Sequence, residues 1–205
     1  APSKNFYKLY HHGVYYMTIR TVLVCNLNDP NQRDVAEMLQ QTPGINLYVI
    51  TDANTIPSTS ISPKQICQIE PTFPDIINPF NPLVIRKFRE RLSNINPDVS
   101  LVMGITDLIF MPITVDLSPC IFLPQGGEKS RAIGVAEWTN SRIRNLYYKK
   151  IYRRMFTKLL DQTDQVWNAE PVRPIFKDLG MDMDKFVPFD WVPVNTTKFS
   201  PSNNP

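Results

Sequence analysis

Glycine and histidine are what this chain has least of. Seven glycines stand against 19 prolines in 205 residues, so the loops are stiff and few segments can bring bare backbone close to a ligand. No GxGxxG follows the first apolar run, which counts against a nucleotide-dependent oxidoreductase. Both histidines, His11 and His12, sit near the amino terminus. The body of the chain therefore has no imidazole for general-base chemistry. Cysteine is limited to Cys25, Cys67 and Cys120, an odd number at long spacing within apolar stretches. That pattern reads as structural thiols in a reducing compartment and gives metal binding no support. No metal and no cofactor are expected. No apolar run approaches the ~20 residues needed to span a bilayer, and residues 1–16 lack the apolar core of a signal peptide. A formal net charge of +3 is too small to argue for nucleic acid as a partner. A cytoplasmic location is expected, with peripheral contact at the inner membrane face left open.

What is present is enough apolar sequence for one full-sized core. Met17 opens the stretch MTIRTVLVCN, so residues 1–16 read as a flexible or vector-derived extension. Residues 17–195 read as one domain, and 196–205 as the start of a linker. Residues 20–26 (RTVLVCN) form a β-branched run with the character of a buried strand. Asn28-Asp29-Pro30-Asn31 is turn and helix-cap chemistry. Residues 32–42 carry Val35, Met38 and Leu39 at helical spacing and stop at Pro43-Gly44. Ile45–Thr51 is a second strand. Strand, helix and strand within about 32 residues make a βαβ unit with a right-handed crossover.

The pattern continues. Short strands are expected at 65–70, 99–104, 119–123, 165–168 and within 185–194. Helices are expected from Leu83 to the Asn96-Pro97-Asp98 stop, from about Leu108 (as helix or loop), at 140–160 and at 174–179. The 140–160 segment carries an apolar stripe of Tyr148, Ile151, Tyr152, Met155 and Leu159, with Arg142, Lys149, Lys150, Arg153, Arg154 and Lys158 on its other side. Buried strands alternating with helices define an α/β fold: Rossmann-like, with a mainly parallel sheet and helices on both faces.

Several stretches, in order, resemble a known family. They are Asn96-Pro97-Asp98-Val99 before an apolar strand, 119–128 (PCIFLPQGGE), 163–170 (TDQVWNAE) and 185–201, ending TTKFSP. Together they look like the N-terminal half of retaining glycosyltransferases of GT-B architecture, the group 1 or family 4 type. The likeness covers residues 17–205. It implies a domain that faces the acceptor, in a longer enzyme whose C-terminal domain would follow Pro205. That second domain would hold most of the nucleotide sugar, and the acceptor would be a glycan or a lipid-linked species. The chain departs from the family pattern in three places. No glycine stands in the turn Asn26-Leu27-Asn28-Asp29-Pro30, Gln125 replaces a His or Trp, and Asn195 replaces an Asp.

In open α/β sheets, ligands bind beyond the carboxyl ends of the strands, and the candidate residues follow from that rule. Gly126-Gly127 leaves the backbone unobstructed, and Glu128 could orient sugar hydroxyls; the alternative is a tight turn with an exposed carboxylate. Asn26, Asn28 and Asn31 could bond hydroxyls or phosphate at a helix N-terminus, or could simply cap it. Asp107 could contact acceptor or cap a helix. No residue can be assigned as catalytic base. Between Arg142 and Lys158 the chain holds seven basic residues and no acidic one. This face is either a surface for anionic lipid, through Arg142, Lys149, Lys150, Arg153 and Arg154, or a solvated helix face; no nucleic-acid motif accompanies it. Two functions stand: the acceptor-side domain of a sugar-nucleotide-dependent glycosyltransferase, or a non-catalytic Rossmann-like module that pairs with a separate donor-binding chain.

Overall fold

The run Ile19–Cys25 lacks the in–out alternation of a half-exposed strand, and in the computed structural model it is an interior strand, β1, with Val22, Leu23, Val24 and Cys25 all buried. The structure describes residues 18–51, 58–69, 82–103, 111–124, 146 and 148–189. In chain order, β1 is followed by α1 (Pro30–Gln41), β2 (Ile45–Thr51), β3 (Ile66–Gln68), α2 (Pro82–Ile95), β4 (Val99–Met103), α3 (Met111–Leu117) and β5 (Cys120–Leu123). A π-helical turn, Tyr148–Tyr152, leads into α4 (Arg153–Gln162), β6 (Gln165–Asn168), α5 (Arg173–Asp178) and β7 (Phe186–Pro188).

The seven strands form one sheet in the order β3-β2-β1-β4-β5-β6-β7, and every pairing is parallel. The chain builds outward from β1 to β3, returns across the sheet through α2, and builds outward the other way from β4. Because side chains alternate across each strand, β1 feeds two cores. Leu23 and Cys25 join Val35, Ala36 and Leu47 on the α1 face. Val22 and Val24 join Phe88 of α2, Ile113 of α3, Phe156 of α4 and Phe176 of α5 on the other. Helices therefore cover both faces, as the sequence pattern implies. Asn96 takes a φ of +47° just beyond α2, a left-handed helix end that suits its short amide side chain.

Two aspartates set the register of strands that are distant in sequence. Asp98, just before β4, accepts from the Arg20 backbone N–H at 2.8 Å, and its own N–H donates to the Arg20 carbonyl at 2.9 Å. Asp164, just before β6, repeats the arrangement on β5: its carboxylate accepts from Cys120 N at 2.8 Å and its N–H donates to Cys120 O at 3.1 Å. Each ring ties the first residues of two neighbouring parallel strands. The side chain of Arg20 also reaches the Asp98 carboxylate at 3.7 Å.

The helix ending at Gln162 differs from expectation in phase. Its inward residues are Tyr152, Phe156, Leu159 and Leu160, whereas Ile151 is 53% exposed and Met155 is half-buried. Tyr152, Phe156, Leu159 and Leu160 stand at i, i+4, i+7 and i+8, an ordinary α-helical stripe, and Ile151 falls well outside it. Tyr152 stacks on Phe156 at 6.2 Å, and Phe156 meets Phe122 of β5 edge-on at 6.0 Å.

The aspartate rings give a direct expectation. Asp98→Ala and Asp164→Ala each remove a carboxylate acceptor from a backbone N–H and should each lower unfolding free energy by about 1–2 kcal/mol in urea titrations. The Asn variants, which keep an acceptor oxygen, should lose less. The cysteines offer a second test. Burial, with the nearby Asp164 charge adding to it, pushes the Cys120 thiol from 9.0 up to about 12. This thiol therefore favours the folded state below pH 9, and that contribution is lost as pH rises toward about 12. Relative to Cys120→Ala, the wild-type urea midpoint should fall more steeply over that window, and at about pH 8 the half-buried Cys67 should react with a thiol reagent before Cys25 or Cys120.

Candidate functional site

In a sheet of this order the strand sequence reverses between β1 and β4, with α1 packed on one face and α3 on the other, and open α/β sheets take their ligands at the carboxyl edge of such a point. The β1–α1 turn lies at this edge. Its sequence, Asn26-Leu27-Asn28-Asp29-Pro30, holds no glycine, and side chains hold it instead. The Asn26 N–H donates to the buried Gln32 Oε1 at 2.7 Å, and the Leu27 N–H to Thr51 Oγ1 of β2 at 3.1 Å. The Asn28 N–H donates to Asn26 Oδ1 at 2.8 Å, closing an Asx turn, and the Asp29 N–H donates to Asn26 O at 3.0 Å.

Asp29 is the N-cap of α1. Its Oδ1 accepts from Asn31 N at 2.9 Å and from Gln32 N at 3.2 Å, and its carbonyl accepts from Arg33 N at 3.0 Å. Pro30 at the first helical position has no N–H to offer. Every backbone N–H from Asn26 to Arg33 therefore already has an acceptor within the chain. A phosphate arriving here would find no free backbone donors and would meet the Asp29 carboxylate. This is the reverse of the glycine turn that cradles a pyrophosphate on a helix N-terminus.

Asn28 and Asn31 are both exposed at this edge. Their amide side chains offer donor and acceptor together, which matches hydroxyl-bearing ligands better than anions. Farther along the edge, Asn168 at the end of β6 is buried, and its Nδ2 donates to the Pro124 carbonyl at 2.9 Å. It thereby fixes the point at which the chain leaves β5. Asp107, Gly126, Gly127, Glu128 and Arg142 lie outside the described residues, as does the side chain of Lys149. Lys150, Arg153 and Arg154 are exposed on the helix that follows.

Asp29, Gln32, Thr51 and Asn168 were not singled out by sequence reasoning as parts of this edge. Only Asp29 carried a signal, as the acidic residue of an Asn-Asp-Pro-Asn cap. Among the described residues no group of three or more His, Cys, Asp or Glu could hold a metal ion, and no helix is long and apolar enough to cross a membrane.

The fold and this edge define a Rossmann-like α/β domain whose ligand-facing side is braced by side chains. No family model and no curated protein matches the chain. Among solved structures, a UDP-N-acetylglucosamine 2-epimerase superposes with a TM-score of 0.55 at 12% identity, over 83% of this chain and 48% of the epimerase. The UDP-GlcNAc 2-epimerase of Methanocaldococcus jannaschii gives 0.51 at 14% identity, over 82% of this chain and 44% of the epimerase. The chain thus spans about half the length of the structures it matches. At these identities the likeness is one of fold, and it agrees with a Rossmann-like half of GT-B type.

The Asp29 cap should be worth about 1 kcal/mol. Asp29→Ala should lower the unfolding free energy from urea titrations by that amount, with Asp29→Asn recovering most of it.

Proposed function

We propose that this chain is the acceptor-side domain of a sugar-nucleotide-dependent glycosyltransferase, and that the donor's phosphates are held mainly by a second domain. The observation that carries this reading is the β1–α1 turn, where a Rossmann-like fold would ordinarily take phosphate. Here the turn has no unpaired backbone N–H and keeps a carboxylate of its own at the helix end. Such an edge is suited to a neutral ligand rich in hydroxyls. The amides of Asn28 and Asn31 would contact it from the β1 side. Asp107, Gly126, Gly127 and Glu128 would contribute from the loops after β4 and β5. The fold likeness to half of a UDP-sugar enzyme supports the sugar-nucleotide class. The ordered stretches at 96–99, 119–128, 163–170 and 185–201 support glycosyl transfer as the reaction.

In this division of labour the domain positions an acceptor hydroxyl and excludes water around it, and the reacting phosphate enters from the partner half. Titration of isotope-labelled chain with UDP-N-acetylglucosamine, followed by NMR, tests the division. Binding should be weak, with Kd of about 1 mM or higher, and the amides of residues 26–33 should not move. Micromolar affinity with shifts centred on those amides would overturn the assignment. For the reaction itself, the whole gene product should form a new glycosidic bond from a nucleotide sugar and a glycan or lipid-linked acceptor. A product limited to the epimerised nucleotide sugar would count against transfer.

A further inference from the structure

We propose that the outward ridge of the helix running from the π-helical turn through α4 docks on an anionic phospholipid surface. Lys150, Arg154 and Lys158 follow one another at i, i+4 and i+8, and so line one side of the helix, with Arg153 beside them. All four are exposed, and none takes part in an ion pair among the described residues. Arg86 and Arg89 of α2, by contrast, each have a carboxylate within 3.6 Å. The one acidic side chain along the ridge is Asp161 at its far end, and the ammonium of Lys185 is bonded to the Asp161 carbonyl. The face is thus a concentration of uncompensated positive charge.

Charge alone would suit any polyanion, but the apolar residues narrow the choice. The described residues include three large hydrophobic side chains that are exposed, and two of them, Leu146 and Ile151, belong to this segment at 58% and 53%. A shallow groove along the ridge is lined by Lys150, Ile151, Arg154, Met155 and Lys158, so aliphatic groups lie among the cations. Tyr152 packs inward on Phe156, and Ile151, one residue earlier, stays outside. A lipid interface satisfies both components, because headgroup phosphates meet the cations while Ile151 and Leu146 enter the acyl boundary. Nucleic acid would leave those aliphatic groups in water, and no described aromatic side chain stands out along the ridge for a base to stack on.

Near an anionic bilayer each basic residue contributes about fivefold to the partition coefficient. The test is co-sedimentation of the chain with vesicles containing about 30% phosphatidylglycerol, beside vesicles of phosphatidylcholine alone, with no nucleotide sugar present. Binding should occur with the anionic vesicles and should weaken at high salt. Lys150→Gln with Arg154→Gln should weaken it about 25-fold. Ile151→Ser should weaken it severalfold with the charge unchanged. All three positions are exposed, and unchanged thermal unfolding would verify that the variants fold. Absence of vesicle binding, equal binding to neutral vesicles, or retention by the double variant would each overturn the proposal. So would binding to single-stranded RNA that Ile151→Ser leaves intact and that anionic vesicles cannot displace. The result is independent of the sugar-nucleotide reading, since no step of glycosyl transfer enters it.

Discussion

The architecture depends on holding parallel strands in register when their sequences lie far apart. A hairpin turn can fix an antiparallel pair, but a parallel pair needs a long crossover and has no local device of that kind. Arg20 and Asp98 meet across a separation of 78 residues. A slip of one residue would exchange the faces of β4, turning Val102 from the α2 side to the α1 side and Leu101 the other way. The two aspartate rings act against that slip by coupling a side-chain acceptor and a backbone donor of one residue to a single partner. Both rings sit at the amino ends of their strands. The carboxyl ends carry no such ring among the described residues, and at β1 the outgoing turn is held by side chains instead.

Much of this was readable before the structure. β1 and β2 announced themselves as β-branched runs, and Asn96-Pro97-Asp98 marked the end of α2 because Asn and Pro there prevent further helix. The parallel pairing of β1 with β2 was expected from the βαβ pattern, whereas the order of the seven strands was not. The phase of the helix ending at Gln162 was misread: Phe156 and Leu160 stand four and eight residues after Tyr152 and complete its buried stripe, but Ile151 was read as core in their place. Asp98 and Asp164 were noticed as pieces of familiar stretches, but their partners are backbone groups, which leave no mark in a sequence. The bracing of the β1–α1 turn was hidden for a related reason. Thr51 lies 24 residues from the N–H it accepts, and only the parallel pairing of β1 with β2 brings it there.

That bracing accounts for the scarcity of glycine in physical terms. A phosphate-binding turn needs bare backbone, because the ligand approaches the N–H groups directly and supplies their acceptors. A turn that meets no phosphate must provide acceptors itself, or leave several N–H groups without partners at real cost. Here Asn26, Asp29, Gln32 and Thr51 supply them. The polar side chains of this turn and the absence of glycine are two consequences of one condition. The turn is therefore complete before any ligand arrives, with its backbone donors already met from within the chain.

The two proposals converge on one end of the molecule. In a parallel sheet each connecting helix runs opposite to the strands, so it begins near their carboxyl ends and returns to the amino edge. The helix ending at Gln162 enters β6 at Gln165, which puts its opposite end, with Leu146, Lys150 and Ile151, toward the carboxyl edge. That edge also carries the β1–α1 turn and the exits of β4 and β5. A lipid surface gripping the start of this helix would lie on the same side as that edge. An acceptor whose hydroxyl is tethered to that surface would then reach the edge without leaving the bilayer, and tethering would raise its effective concentration there. Under the two proposals the division of charge would be consistent: the basic ridge would meet the membrane's negative charge, and the β1–α1 edge would be left to the hydroxyl-bearing group.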